Sequence, residues 1–355
     1  MYTSLDWLNE LVSVKSIPLE DLIDKLTLGG FEVEETLTID VNKQKRTVLD
    51  ISATANRADS LSIKGIAKEI TALLDKPVCS TTYINHDLES QKKITSVIND
   101  AEPTAEYSTF VAVTVENLNN FTVPKWLTEK LVCSKVEPLN NLLDFQNYIL
   151  LETGYPFEFY DLEKIQTILK TSEFELGLKT VKTPTTFTGN NNIKYELNSD
   201  ILVVEANNYP ISIGGILPNQ EVSYNSDTKS LLIEGSIFSS KKIRQQSRRL
   251  GIRTDRSARY EKGLNNSYFI EALIRLITLL KITNPELICK IHTTSEVEQI
   301  NNVNLSLNYA NIIEILGPVR DQLTGKSVNI LPSQITEYLR RLDFEFTDRK
   351  STRLN

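Results

Sequence analysis

Apolar positions recur along the chain at two spacings, and the switches between them mark out its elements. Leu5, Leu8, Leu11 and Val12 share one helical face. Pro18 followed by Glu20 and Asp21 suits the first turn of a second helix carrying Leu22, Ile23 and Leu26, which Gly29 and Gly30 end. "FEVEE" leaves as a strand with Phe31 and Val33 inward, and the polar "DVNKQKR" reads as a loop into the strand "VLDIS". In "ATANRADSLSIKGIAKEITALL" Ile63, Ile66, Ala67, Ile70, Leu73 and Leu74 line one face of an amphipathic helix. Lys64, Lys68 and Glu69 line the other, and Asp59 and Ser60 stand at its entry.

From Pro77 to Glu102 the chain turns polar, as a linker does. The two-residue period returns in "YSTFVAVTV", where Tyr107, Thr109, Val111, Val113 and Val115 alternate like a half-buried strand. An amphipathic helix near Trp126 to Leu131 follows, then "NNLLDFQNYILLETGYPFEFYDLEKI" and a hairpin-rich stretch with Gly/Asn turns between β-prone runs. A helix over Tyr268 to Leu280 closes this region. Near the C-terminus "ITEYLRRLDFEF" matches "LIDKLTLGGFEV" as a helix followed by a strand, a faint internal repeat, and the chain reads as stopping one strand into a new domain. The fold class is therefore α+β and multidomain: a small N-terminal α/β domain over 1–76, a linker over 77–102, a central mixed domain over 103–285, a linker over 286–300, and the start of a further small α+β domain over 301–355.

Composition narrows the chemistry. With 40% hydrophobic and 24% charged residues, 355 residues suit two or three packed domains. The longest apolar segment, Phe269 to Leu280, is too short and too interrupted to span a membrane, so a soluble chain is expected. Cys79, Cys133 and Cys289 lack the close spacing of a zinc site or a disulfide framework, and His86 and His292 stand outside any partner motif. No dinucleotide fingerprint, phosphate-binding loop or nucleophile elbow occurs, and no metal site is expected. The opening residues show neither signal core nor transit segment, and the frequent Asn-Asn pairs, Ile and Lys fit an AT-rich coding genome.

Against a net charge of −7, the stretch from Lys241 to Lys262 gathers nine basic residues against Asp255 and Glu261. A solvated helical face is one reading; a surface meeting phosphate or a carboxylate-rich partner is the other. "IGGIL" fits a tight turn, and Asn56, Arg57 and Asp59 fit a helix entry with an anchored arginine.

Taken together, "SLDWLNELV", "LTLGGFEVE", "ATANRADSLSIKGIAKEI", "PLNNLLDFQNYILLETGYPFEFYDLEKI", "GGIL" and "LLIEGSIFSSKKIRQQSRRLGIRTDRSARYEKG" resemble, in order, the β subunit of bacterial-type phenylalanyl-tRNA synthetase. "NRADSLSIKGIA" and "RRLGIRTDRSARYEKG" are the most specific. The resemblance implies an (αβ)2 heterotetramer that joins phenylalanine to tRNA(Phe) with ATP and Mg2+. The synthetic site would lie on the α subunit, and neither ATP nor Mg2+ is expected on this chain. It also implies a B3/B4-like editing domain in the central region and a partial B5-like domain at the end, where the family's magnesium-binding carboxylates would lie beyond the present C-terminus. The arginines Arg248, Arg249, Arg253, Arg256 and Arg259 become candidates for ion pairing within the complex or for contact with tRNA phosphate.

The chain departs from the family pattern in two further ways. Only Thr38 to Thr47 stands where bacterial members insert an OB-type domain, which ten residues cannot build. Compact forms of this kind resemble chloroplast-encoded algal subunits, so a plastid stroma is expected, with a bacterial cytoplasm as the alternative. Editing-pocket positions match at Asn147, Gly215 and Glu234, with Gly214 counted among the pocket-like residues, but Gln146 and Glu158 replace the family's threonine and histidine. Glu158, pointing inward, would set a second carboxylate beside Glu234, one of the two would stay protonated, and editing of Tyr-tRNA(Phe) would be weak or lost. Glu158 as a general base is the counter-reading; a stand-alone Tyr-tRNA deacylase and a non-catalytic RNA-binding scaffold are the rival functions.

Overall fold

The computed structural model describes residues 1–77, 79, 107–119, 122–181, 183–293, 305–321 and 324–347. Most of the stretch read as the first linker lies outside them. The N-terminal unit comprises β1 (Tyr2–Ser4), α1 (Leu5–Leu11), α2 (Leu19–Leu28), β2 (Phe31–Val41), β3 (Gln44–Ala53) and α3 (Ile63–Leu74). Its strands form an antiparallel sheet in the order β1-β3-β2. Ser4 caps α1, its hydroxyl accepting from the Trp7 N–H at 3.2 Å.

The polar stretch after "FEVEE" is not a loop. β2 and β3 pair from Phe31↔Ala53 out to Val41↔Gln44, and the whole connection is Asn42-Lys43, with φ of 53° and 64°. Two left-handed residues make the primed hairpin turn that matches strand twist. The physical reason lies in Leu37, Ile39 and Val41, which alternate toward a small core with Val48 and Cys133 and outweigh the intervening Thr38 and Asp40. No inserted domain stands at this tip.

The central unit runs through β4 (Tyr107–Glu116), α4 (Lys125–Cys133), α5 (Leu142–Thr153), β5 (Phe157–Asp161), α6 (Leu162–Leu169), β6 (Leu176–Thr180), β7 (Thr185–Thr188), β8 (Lys194–Leu197), β9 (Leu202–Ala206), β10 (Tyr209–Ile213), β11 (Leu217–Pro218), β12 (Leu231–Phe238), α7 (Ser240–Leu250), α8 (Asp255–Lys262), α9 (Phe269–Thr283) and β13 (Ile288–Thr293). One sheet has the order β13-β4-β12-β5, a second β11-β10-β9-β6, and β7 pairs with β8. Because β13 pairs with β4 from Ile288↔Glu116 to Thr293↔Val111, the stretch read as a second linker from 286 begins with an edge strand of this sheet.

β4 also corrects its half-buried reading, because both faces of its sheet are covered. Val111, Val113 and Val115 enter one core with α5 and α9, whereas Phe110 and Ala112 enter another shared with Leu176, Val204 and Ile211 of the second sheet. The first of these cores crosses the unit boundary: Trp7, Leu8, Leu26 and Ile66 belong to it together with Phe145, Tyr148, Phe157 and Leu276. Trp7 stacks on Tyr148 with ring centroids 5.0 Å apart, and Lys64 pairs with Glu271 at 2.6 Å. The N-terminal and central units thus share one interior.

The last unit holds α10 (Tyr309–Leu316), β14 (Val319–Arg320) paired with β15 (Ser327–Val328), and α11 (Pro332–Arg341). Arg340 reaches Asp75, at the end of α3, at 3.1 Å. In the faint repeat the helical halves agree, α2 with α11, but the second strand is absent: after α11 the chain turns at Asp343, with φ of 61°, and Phe344 to Thr347 pair with no strand among the described residues.

Candidate functional site

Glu158 on β5 and Glu234 on β12 stand directly opposite each other in the antiparallel ladder. Such cross-strand neighbours carry their side chains about 5 Å apart. Their strand neighbours Phe157, Phe159, Ile233 and Gly235 face the α5–α9 core, so the two carboxylates and Tyr160 point the other way, into the layer between the two sheets. Two acids alone in that layer would repel.

Arg256 stands between them. Its Nη1 donates to Glu158 Oε2 at 2.8 Å and its Nη2 to Glu234 Oε2 at 2.6 Å, and the three side chains retain only 8%, 12% and 1% of their exposure. The remaining acceptor positions are also engaged. Glu158 Oε1 accepts from the Phe159 N–H at 3.2 Å and from Gln146 Nε2 at 3.3 Å; Glu234 accepts from the Ser236 hydroxyl and from Tyr160 Oη, the latter at 3.4 Å. Gln146 reaches round edge strand β5 to donate to the Phe157 carbonyl at 3.0 Å, and its own oxygen accepts from Tyr224 Oη at 2.8 Å.

The electrostatics follow. Burial pushes the Glu158 carboxyl above its ordinary range; Arg256 opposes the rise and Glu234 adds to it. Burial works against the charge on Arg256, but Glu234 and Glu158 outweigh it and hold the guanidinium well above its usual value. Burial and then Glu234 raise the Tyr160 phenol well above the usual range. The Glu158 carboxyl is thus harder to ionise than a free one, and the space between the two acids is filled by a guanidinium.

Local structure explains why Arg256 arrives there. Thr254 and Ser257 form a reciprocal capping box that starts α8, so Arg256, Arg259 and Tyr260, at positions i, i+3 and i+4, share its inner face. Tyr260 Oη donates to the Ser236 carbonyl at 2.9 Å, tying α8 to β12 beside the acids. Gly214 and Gly215 lie under the same helices. Gln246 donates to the Gly214 carbonyl at 2.6 Å, and Gly215, with φ of 69°, sits so close that a Cβ there would come within 2.7 Å of Ile243 and 3.2 Å of Tyr260. Asn147 is half-buried on α5 and joins none of these hydrogen bonds.

The five arginines proposed as outside contacts divide. Arg248, Arg249 and Arg253 are exposed, and Arg249 pairs with Asp200. Arg256 and Arg259 are buried, so they are withdrawn from the contact surface. Arg259 donates to the Asp255 carbonyl at 2.9 Å, and burial lowers its pKa. Arg256 forms ion pairs, one of its two readings, but inside this chain, on the inner face of α8 that the i, i+3, i+4 spacing with Tyr260 marks. Ser236, Tyr160 and Tyr224 were also missed. A cavity of about 340 Å³ along β6, between Glu175, Lys179 and Glu205, involves none of the predicted site residues. Among the described residues no helix is long and apolar enough to cross a membrane.

An acid pair bridged by arginine between two sheets, over a glycine turn, lies within residues 106–284, which match the family model of the B3/4 domain. That match covers half of the chain, and the chain belongs to the B3/4 domain family. Relatives narrow this further. The chain is 50% identical over 352 residues to "Phenylalanine--tRNA ligase beta subunit, chloroplastic" of Phaeodactylum tricornutum (strain CCAP 1055/1), an alignment covering 99% of this chain and 50% of that protein. It is 31% identical over 321 residues to the phenylalanine–tRNA ligase β subunit of Prochlorococcus marinus (strain MIT 9312), covering 87% of this chain and 38% of that one. The chain thus spans half or less of the length of these relatives. A solved N-terminal fragment of the phenylalanyl-tRNA synthetase β-subunit from Pyrococcus horikoshii covers 96% of this chain and 98% of its own, but at 14% identity and a TM-score of 0.38 the likeness is too distant to bear on the site.

Proposed function

We propose that this chain acts as the β subunit of a phenylalanine–tRNA ligase. Paired with an α subunit in an (αβ)2 assembly, it supports the ATP- and Mg2+-dependent attachment of phenylalanine to tRNA(Phe). The α subunit holds the synthetic site, and the plastid stroma is the place of action. The observation that carries this reading is the 50% identity to a chloroplastic β subunit across 99% of the chain. Editing of Tyr-tRNA(Phe) is weak or lost, because Gln146 and Glu158 stand in the B3/4 site with Glu234, and Arg256 pairs with both acids.

Co-expression with the α subunit encoded in the same genome tests the assignment. The two chains are expected to co-purify. Phenylalanine-dependent ATP–pyrophosphate exchange is expected from the complex and not from this chain alone. Failure to assemble, or exchange by this chain alone, would refute it.

A further inference from the structure

A second polar site lies on the far side of the second sheet. Leu176 and Leu178 of β6 and Val204 and Ala206 of β9 face the layer between the sheets, so Gly177, Lys179 and Glu205 point outward, away from the Glu158–Glu234 pair. There they line a cleft of about 340 Å³ with Glu175, Asn207 and Asn208, a volume in the range of small-molecule sites. Glu205 retains only 9% of its exposure. Lys179 Nζ neutralises its Oε1 from 2.7 Å, but not along a hydrogen-bonding direction, and that buried oxygen accepts no hydrogen bond. Gly177 stands directly opposite Glu205 in the ladder, in ordinary strand backbone where a Cβ would lie 3.5 Å from Lys179 Cε and 3.7 Å from Glu205 Cγ. The backbone therefore does not require glycine here; what the glycine supplies is room above the ion pair. A glycine inside a strand weakens it and often marks where a ligand comes close. At the end of the cleft Asn207 and Asn208, with φ of 47° and 67°, form the two-residue turn between β9 and β10, and the Asn207 carboxamide oxygen accepts from the Glu175 N–H at 2.8 Å, which fixes the rim.

We propose that this cleft binds a free α-amino acid with a basic side chain. Charge decides among the ligand classes. An anion alone would draw Lys179 away and strand the buried Glu205, whereas a simple cation would have to displace Lys179 from it. A zwitterion does neither. Its ammonium and carboxylate lie side by side, so they face Glu205 and Lys179 in the opposite sense and complete a ring of four alternating charges. Glu175 and the amides of Asn207 and Asn208 are left for the rest of the ligand. With two acids against one lysine, the lining carries one negative charge in excess, which a guanidinium or ammonium at the far end of the ligand meets, with the Asn carbonyls as further acceptors. None of the lining residues is aromatic, so phenylalanine and tyrosine are not the ligands of this cleft, and the inference does not depend on the function proposed above.

The test is calorimetric titration of the full chain with L-arginine, with agmatine, which is arginine without its carboxylate, and with L-glutamate, which keeps the headgroup but has an acidic tail. Wild type is expected to bind L-arginine at least tenfold more tightly than either comparison ligand. Gly177→Val puts a branched side chain where the ligand would lie, in backbone that suits it, and is expected to leave stability unchanged or raised and to abolish binding. Lys179→Gln keeps a hydrogen-bond donor toward Glu205 but removes the charge that meets the ligand's carboxylate. The preference for L-arginine over agmatine is expected to disappear in this variant, while binding of the cationic groups remains.

Agmatine bound by wild type as tightly as L-arginine would overturn the proposal, leaving only a cleft that attracts cations. So would an absence of L-arginine binding at millimolar concentration, full binding by a folded Gly177→Val, or a preference for L-arginine that survives Lys179→Gln. If Gly177→Val does not fold, the Lys179→Gln comparison decides alone, because that side chain is half exposed and its replacement leaves the packing of the sheet in place.

Discussion

Glu158 is an acid held in a place that disfavours its charge. Burial raises its pKa from the ordinary 4.5, Arg256 pulls it back and Glu234 pushes it further up. A raised carboxyl pKa in the folded state means that its contribution to stability is fully present below 4.5 and is lost as pH rises through the folded value. Glu158→Gln removes that titration while keeping the side chain's shape. Wild type is therefore expected to lose stability relative to Glu158→Gln as pH rises above about 4.5, measured by urea unfolding at a series of pH values; parallel curves would contradict this. The burial of both acids was legible, since "PFEFYD" and "LLIEGSIF" each enclose one acid in an apolar run. Their meeting with Arg256 was not, because it depends on a register between strands and on a helix more than twenty residues farther on. A cluster of arginines was read as one surface, whereas the helical period of α8 turns Arg256 inward and leaves Asp255 outside.

Among the elements, the entry to α3 shows what a specific-looking motif can amount to. Arg57 donates from Nε to Asp59 at 3.0 Å and from Nη2 to Asp59 and Glu69 at 2.7 Å each, and its guanidinium carbon lies 4.4 Å from the centre of the Phe31 ring. "NRADSLSIKGIA" is thus a clasp joining a short 3-10 turn, a helix and a strand. Gly65 completes it. Its N–H is accepted by the Ser62 cap at 3.0 Å, and a Cβ there would collide with the Asp59 carbonyl. Helix propensity alone favours alanine over glycine by roughly 1 kcal/mol, but backbone cannot yield as a flexible side chain can. Gly65→Ala is expected to destabilise the protein by about 1–3 kcal/mol, and a variant more stable than wild type in chemical denaturation would show that the clash is relieved. The stripe of α3 was plain in the sequence. The β2–β3 hairpin was not, because the polar residues of its tip, from Asp40 to Arg46, read as a loop, although Leu37, Ile39 and Val41 carry the strand's alternation to the turn.

Across the whole molecule, the sequence suggested separable domains at a polar stretch, but packing does not follow that stretch. Trp7, fully buried on α1, stacks on Tyr148 of the central unit, and Lys130 lies 5.0 Å above its ring. A shared interior predicts shared unfolding. Trp7→Ala is expected to cost about 3–5 kcal/mol and to lower the midpoint of a single transition seen alike by fluorescence and by far-ultraviolet dichroism. Two resolved transitions, with only one moved, would mean that the units fold independently. Linear reading missed this because polarity marks where chain is exposed, not where two surfaces meet in space.

The Asn42-Lys43 turn carries a last consequence. At the tip of a hairpin the chain leaves and returns through neighbouring residues, Val41 and Gln44, whose Cα atoms stand about 5 Å apart. Any folded module whose own two ends lie similarly close can be spliced between Asn42 and Lys43 while every strand pair below keeps its partner. The tip is in effect a socket. A module gained there would change what the protein can reach without altering the body that holds it.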